Sequence, residues 1–240
     1  MRVKISYLII LIGTTLLIAS MSFTIKRYDN KRLKQIHIYN HGKNPLLENK
    51  ALKKIVLTLK KEFNLKRKKI NQIDPFKLEK SLQNHPFIKT AEVFFSPEGI
   101  LHIAIWQHQP IGRIKNKRGE FYLTTQGILI PPSKENTPIV PLIKGDFLEK
   151  EYKLLKKMIN FINKDAILKN QIIGIKKEKQ DLFKLSTSLE NHLVILGAMD
   201  NFKEKFLKLK SFYKHLQKKD VEVYKALDLR YKDQIIAVKK

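Results

Sequence analysis

The sequence predicts an α+β protein in three parts: an N-terminal helix long enough to cross a membrane, a small βααββ unit, and a larger unit with a mostly antiparallel sheet and two helices. Three observations carry this. Residues 5–25 hold no charged side chain. Between residues 35 and 109, short alternating apolar runs flank two stretches of helical spacing. From residue 110 onward, short apolar runs punctuated by Gly and Pro are interrupted by two amphipathic stretches.

The chain has 240 residues and is 43% hydrophobic, which is enough for more than one ordinary core. It carries 48 Lys+Arg against 22 Asp+Glu, a formal net charge of +26. So basic a chain raises nucleic acid as a partner. Yet Arg, the residue suited to bidentate phosphate and base contacts, stands only at Arg2, Arg27, Arg32, Arg67, Arg113, Arg118 and Arg230. The Lys residues are spread along the chain, which suits anionic lipid head groups better. A membrane-anchored protein that binds nucleic acid or another anionic surface is the alternative reading. With no cysteine, disulfides, thiolate zinc sites and cysteine nucleophiles are excluded.

Residues 1–4 form a short stub and residues 5–25 the span. At about 1.5 Å per residue that segment is roughly 30 Å long, the thickness of a bilayer core. A cleaved signal would have a shorter apolar core, and a buried helix would show a polar face. Residues 26–34 are a basic linker. The positive-inside rule, taken literally, would keep the C-terminal bulk in the cytoplasm, because Lys26, Arg27, Lys31, Arg32 and Lys34 outnumber Arg2 and Lys4. Long domains cross with little regard to charge, so topology is not decided here.

The first folded unit spans 35–109. Gln35 to Tyr39 alternates as a strand, residues 40–45 form a turn, and Leu47, Ala51, Ile55 and Leu59 recur at helical spacing. Asp74 and Pro75 open a second helix, and Pro86 follows its end. Two strands follow, around Ala91–Phe95 and Leu101–Ile105, joined by the turn Ser96-Pro97-Glu98-Gly99. The second unit spans 110–240. Its strands and extended runs are read at 121–123, 128–130, 139–145, 172–175, 182–185, 193–196, 221–231 and 234–238. Its helices start near Leu148 and Asp200.

No catalytic constellation emerges. The histidines are scattered, and no HExxH, GxGxxG, GxxxxGK or GxSxG pattern occurs. The expectation is a non-enzymatic protein with no catalytic residues, cofactor, metal or small-molecule substrate.

Four segments, in order, carry a resemblance. His85-Pro86-Phe87-Ile88-Lys89-Thr90-Ala91-Glu92-Val93 is the first, and Leu101-His102-Ile103-Ala104-Ile105 with Gln109-Pro110-Ile111 the second. The third is Phe121-Tyr122-Leu123 with Gly127, Pro131 and Pro141-Leu142-Ile143-Lys144-Gly145. The last is Gly197, a Lys-rich helix, then Leu227-Asp228-Leu229-Arg230-Tyr231. Together they resemble the FtsQ/DivIB family of bacterial division proteins, whose first unit is a POTRA domain. Gln107 stands near a position where that family usually has Glu, Thr124 and Thr125 where Asp is common, and the cytoplasmic tail is almost absent.

The resemblance implies a single-pass type II protein of the inner membrane, at the division septum, with its bulk in the periplasm. It implies FtsB and FtsL as partners of the C-terminal unit, other division proteins as partners of the POTRA unit, and no nucleic acid. It also points to the end of the chain as the partner-binding edge. Arg230 and Tyr231 are the expected side-chain anchors, and Gln234, Ile235, Ile236, Ala237 and Val238 the strand that a partner would extend. On that reading Ile235→Pro weakens binding and leaves the fold largely intact.

Overall fold

The computed structural model describes residues 7, 10–21, 31–42, 45–179, 182–188, 192–215 and 223–240. The expected stub at 1–4, most of the linker and both ends of the expected span lie outside them. Residues 10–21 are helical and exposed, but no helix among the described residues is long and apolar enough to cross a membrane. The chain divides into two compact units, Met1–Gln107 and His108–Lys240.

The folded part of the first unit runs β1 (Gln35–His41), α1 (Asn49–Glu62), a 3-10 turn (Ile70–Gln72), α2 (Pro75–Gln83), β2 (Ile88–Phe95) and β3 (Ile100–Gln107). The sheet order is β1-β3-β2. β2 and β3 form an antiparallel hairpin closed by Gly99 N–H to Ser96 O at 3.0 Å, whereas the two-helix crossover makes β1 parallel to β3. Asp74 begins α2 as expected, its Oδ1 accepting the N–H groups of Phe76 at 3.0 Å and Lys77 at 3.4 Å. Both helices feed one core. Leu52, Val56, Leu59, Leu78 and Leu82 pack on Ala91, Val93, Leu101, Ile103 and Ile105, the alternate residues of the strands.

The second unit is a nine-stranded sheet. Its strands are β4 (Pro110–Asn116), β5 (Gly119–Thr124), β6 (Leu129–Ile130), β7 (Leu142–Lys144), β8 (Ile172–Lys179), β9 (Leu182–Thr187), β10 (Leu193–Gly197), β11 (Tyr224–Asp228) and β12 (Ile236–Lys239). They lie in the order β12-β11-β10-β9-β8-β7-β4-β5-β6. Most neighbours are antiparallel. β7 runs parallel to both β4 and β8, and β10 runs parallel to β11. Two of these parallel pairs are joined by helical crossovers, as parallel strands require. α3 (Glu149–Lys164) and α4 (Ala166–Gln171) link β7 to β8, and α5 (Phe202–His215) links β10 to β11.

Among the described residues three helices therefore stand where two were expected. α4 has six residues, too few to show a period, and begins where α3 ends. Asp165 closes α3 and caps α4, its Oδ1 accepting from Ile167 N at 3.0 Å and Leu168 N at 3.2 Å. β4 is a further strand beyond those expected. A bulge between Pro110 and Gly112 breaks its period-two pattern, leaving Ile111 and Ile114 as its buried apolar residues. The core joins Leu155, Met158, Ile159 and Ile162 of α3 and Phe202, Phe206 and Leu209 of α5 to Ile143, Ile175, Phe183, Leu185, Val194 and Leu227 of the sheet.

Candidate functional site

The end of the chain forms a hairpin on one margin of the nine-stranded sheet. β11 lies between β10 and β12, while β12 pairs with β11 alone and closes the strand order. Among the described residues no strand lies on its outer side. The register Asp228↔Ile236, Leu227↔Ala237, Ala226↔Val238 is extended by Lys240 N–H to Val223 O at 3.0 Å. The strand is Ile236–Lys239, so the expected strand at 234–238 shifts toward the C-terminus, and β11 covers the middle of the expected 221–231.

The predicted residues separate by pleat. Ile236 and Val238 turn outward, 39% and 42% exposed, while Ile235 and Ala237 pack on the core. Ile235→Pro therefore removes core packing as well as a donor, and does not test the edge cleanly. Gln234 and Ile235 line a groove of about 510 Å³ with Lys208, Phe212, His215 and Tyr224. Tyr231 is 45% exposed in the turn. The turn is held from α5, because Lys208 Nζ donates to the carbonyl oxygens of Tyr231 and Lys232.

Arg230 has its carboxylate partner within the chain. Its Nε reaches Asp228 Oδ1 at 3.0 Å and Oδ2 at 3.1 Å, its Nη2 reaches Oδ2 at 2.6 Å, and its backbone N–H donates to Oδ1 at 3.0 Å. Asp228 is buried and the Arg230 side chain half exposed. Burial works against the Asp228 charge, but the guanidinium and the Arg230 N–H outweigh it and leave the carboxyl below its ordinary value. The pair thus strengthens the hairpin above the ordinary Asp range, and that support is lost as pH falls through the lowered value. Asp228 orients the guanidinium, whose outer edge remains available to an anionic group.

Gly197 explains why a glycine precedes this motif at such a distance. Its φ is +73°, and a Cβ there would lie 2.7 Å from Arg230 Cγ. Gly197→Ala should cost about 1–2 kcal/mol, from left-handed strain and the displaced arginine stem. Urea unfolding of Gly197→Ala, Arg230→Ala and the double variant checks this. The double variant should be more stable than the two single losses predict, since Arg230→Ala removes the clashing Cγ.

A buried polar contact ties the hairpin to the helix. His192 Nδ1 lies 2.9 Å from Tyr224 O and Nε2 lies 3.2 Å from Tyr213 Oη. A carbonyl only accepts, so Nδ1 carries a proton, and Nε2 of the neutral ring accepts from the Tyr213 hydroxyl. Burial pushes the Tyr213 phenol pKa up, so it stays a donor. Asp228, Gly197, Lys208 and His192 lie outside the expected site residues. Gly197 at the end of a strand and Asp228 within the closing motif carry the sequence signals among them. Among the described residues no three His, Asp or Glu side chains group as metal ligands.

Residues 109–238 match the family model described as FtsQ/DivIB, C-terminal related, and residues 32–106 match a POTRA-like domain. Among solved structures, the chain is similar to the major extracytoplasmic domain of the trans isomer of the bacterial cell division protein DivIB from Geobacillus stearothermophilus. The identity is 14% and the TM-score 0.34, over 46% of this chain and 98% of that one. Among curated protein sequences none matches.

Proposed function

The chain belongs to the FtsQ/DivIB family of bacterial cell-division proteins, and we propose that it acts there as a non-enzymatic scaffold whose β12 edge receives a strand from FtsB, with FtsL alongside. On this reading the segment 5–25 anchors the protein in the inner membrane at the septum, the bulk lies outside the cytoplasm, and the POTRA-like unit engages other division proteins. The observation that carries the reading is that, among the described residues, β12 pairs with β11 alone. A sheet margin offers unpaired N–H and C=O groups, and an incoming strand satisfies them. Ile236 and Val238 supply apolar contacts on the outward pleat, and Arg230 and Tyr231 stand in the connection between β11 and β12.

Successive residues of a strand point their N–H groups to opposite sides. Of Val238→Pro and Lys239→Pro, both exposed, one therefore removes a donor to β11 and the other a donor on the outer side. Binding of both to an FtsB–FtsL complex, measured by calorimetry beside thermal unfolding, tests the proposal. The outer-side variant should keep its melting temperature and lose at least about tenfold in affinity, equivalent to about 1.4 kcal/mol. Wild-type affinity in both folded variants would reject edge docking and leave family membership untouched.

A further inference from the structure

Seven basic residues that the sequence holds in two separate runs, 31–34 and 66–69, meet at one end of the first unit. Asn64, at φ +53°, turns the chain back after α1 and delivers the second run beside the first. Arg32 forms an antiparallel bridge with Lys69, and Ile70 N–H donates to Lys31 O at 3.0 Å. Lys31 Nζ reaches Pro97 O at 2.8 Å. Arg32, Lys34, Lys66, Arg67 and Lys69 are exposed, with Lys31 and Lys68 half exposed. Glu98, which interacts electrostatically with Lys31, offsets one of these charges. Such crowding of like charge costs folding free energy, and these exposed groups give the core nothing in return.

Resting on the anchor reading above, we propose that this basic end is a docking surface for anionic phospholipid, which lays the first unit onto the bilayer it emerges from. The run begins six residues after the expected span, and six extended residues reach at most about 20 Å. The patch is thus tethered within a few Debye lengths, each about 8 Å, of the head groups. The charge complements that surface, and each basic residue near it contributes roughly fivefold in affinity. Nucleic acid suits the patch less: two of the seven are Arg, and no aromatic side chain stands within either run for bases to stack on.

The test uses the full chain in phosphatidylcholine nanodiscs and in nanodiscs enriched in phosphatidylglycerol, with lysine acylation read residue by residue. Lys66, Lys68 and Lys69 should react about fivefold more slowly or less in the anionic discs, and Lys115 and Lys144 equally in both. The difference should vanish at about 1 M salt, where the Debye length is about 3 Å, and in the triple variant Lys66→Glu, Arg67→Glu, Lys68→Glu. Equal rates in the two discs would overturn the proposal. So would protection by a short oligonucleotide with none from phosphatidylglycerol, which would favour nucleic acid. If the chain inserts into neither disc, the anchor reading fails on its own. Co-flotation with phosphatidylglycerol vesicles that the triple variant abolishes would then still support the patch, and no flotation would overturn it.

Discussion

Gln107→Glu is expected to destabilise the first unit by about 2–3 kcal/mol near pH 7 and by much less near pH 4. The side chain is 6% exposed and works as donor and acceptor together. Its Oε1 accepts from Leu47 N at 2.8 Å, and its Nε2 donates to Leu47 O and to Asn40 Oδ1, both at 2.9 Å. This double clasp fixes the chain where it enters α1 against the end of β3. A carboxylate keeps the first bond and sets an oxygen against two oxygens. Asn40 can turn its amide to help, but the Leu47 carbonyl cannot, so a buried charge is left facing an acceptor. Protonation relieves this by restoring one donor. The folded-state pKa of the introduced carboxyl is therefore raised, full stability is present below the unfolded value, and it is lost as pH rises through the folded one. Urea unfolding of wild type and variant at both pH values checks the claim. A gap that stays constant with pH would mean that shape, not charge, is the cause. The amide at Gln107 thus follows from the groups around it in this chain.

The same locality separates what could be read from the sequence from what could not. β1, α1, α2 and the β2–β3 hairpin are legible because each announces itself within ten or fifteen residues, by alternation, by four-residue spacing, or by the Asp74-Pro75 start. The second unit is legible as a series of strands but not as a sheet. β7 sits between β4 and β8 through pairings across about thirty residues of chain on either side, and no local pattern encodes them. Gly112 shows the cost of this. It lets β4 approach α3 and β7 closely, since a Cβ there would collide with Ile143 Cδ1. At the chain terminus the motif locates the hairpin, while its electrostatics stay hidden. Arg230 is expected to be free for a partner, but Asp228 stands on the same side of the pleat two residues earlier and takes it. Lys208 holds the turn from 23 residues away, which only the folded chain brings together.

Breaking the pair between Lys177 and Glu151 should cost the second unit about 2–3 kcal/mol, as Lys177→Met. The two side chains are 12% and 14% exposed, and Nζ lies 2.7 Å from each carboxylate oxygen. Glu151 also accepts from Leu148 N at 2.6 Å, so it ties off the first turn of α3 and joins that helix to β8, the middle strand of the sheet. Lys177 lies near the rings of Phe147 and Phe183, which shield the pair. Burial opposes the Glu151 charge, yet Lys177 and the Leu148 N–H prevail and hold its carboxyl below the ordinary Glu value. In the wild type this stabilisation is present above the unfolded value and is lost as pH falls through the folded one. In Lys177→Met the counter-charge is gone and burial raises the carboxyl instead, so the variant is weakest at neutral pH. The loss falls short of the roughly 3–5 kcal/mol typical of a fully buried broken pair, because some water reaches both groups. The double variant Lys177→Met, Glu151→Gln should recover at least about 1 kcal/mol in urea unfolding at pH 7, since it removes the orphaned charge and keeps an acceptor for Leu148 N–H. A double variant no more stable than Lys177→Met would show that the lysine stabilises by covering the two rings and not by its charge.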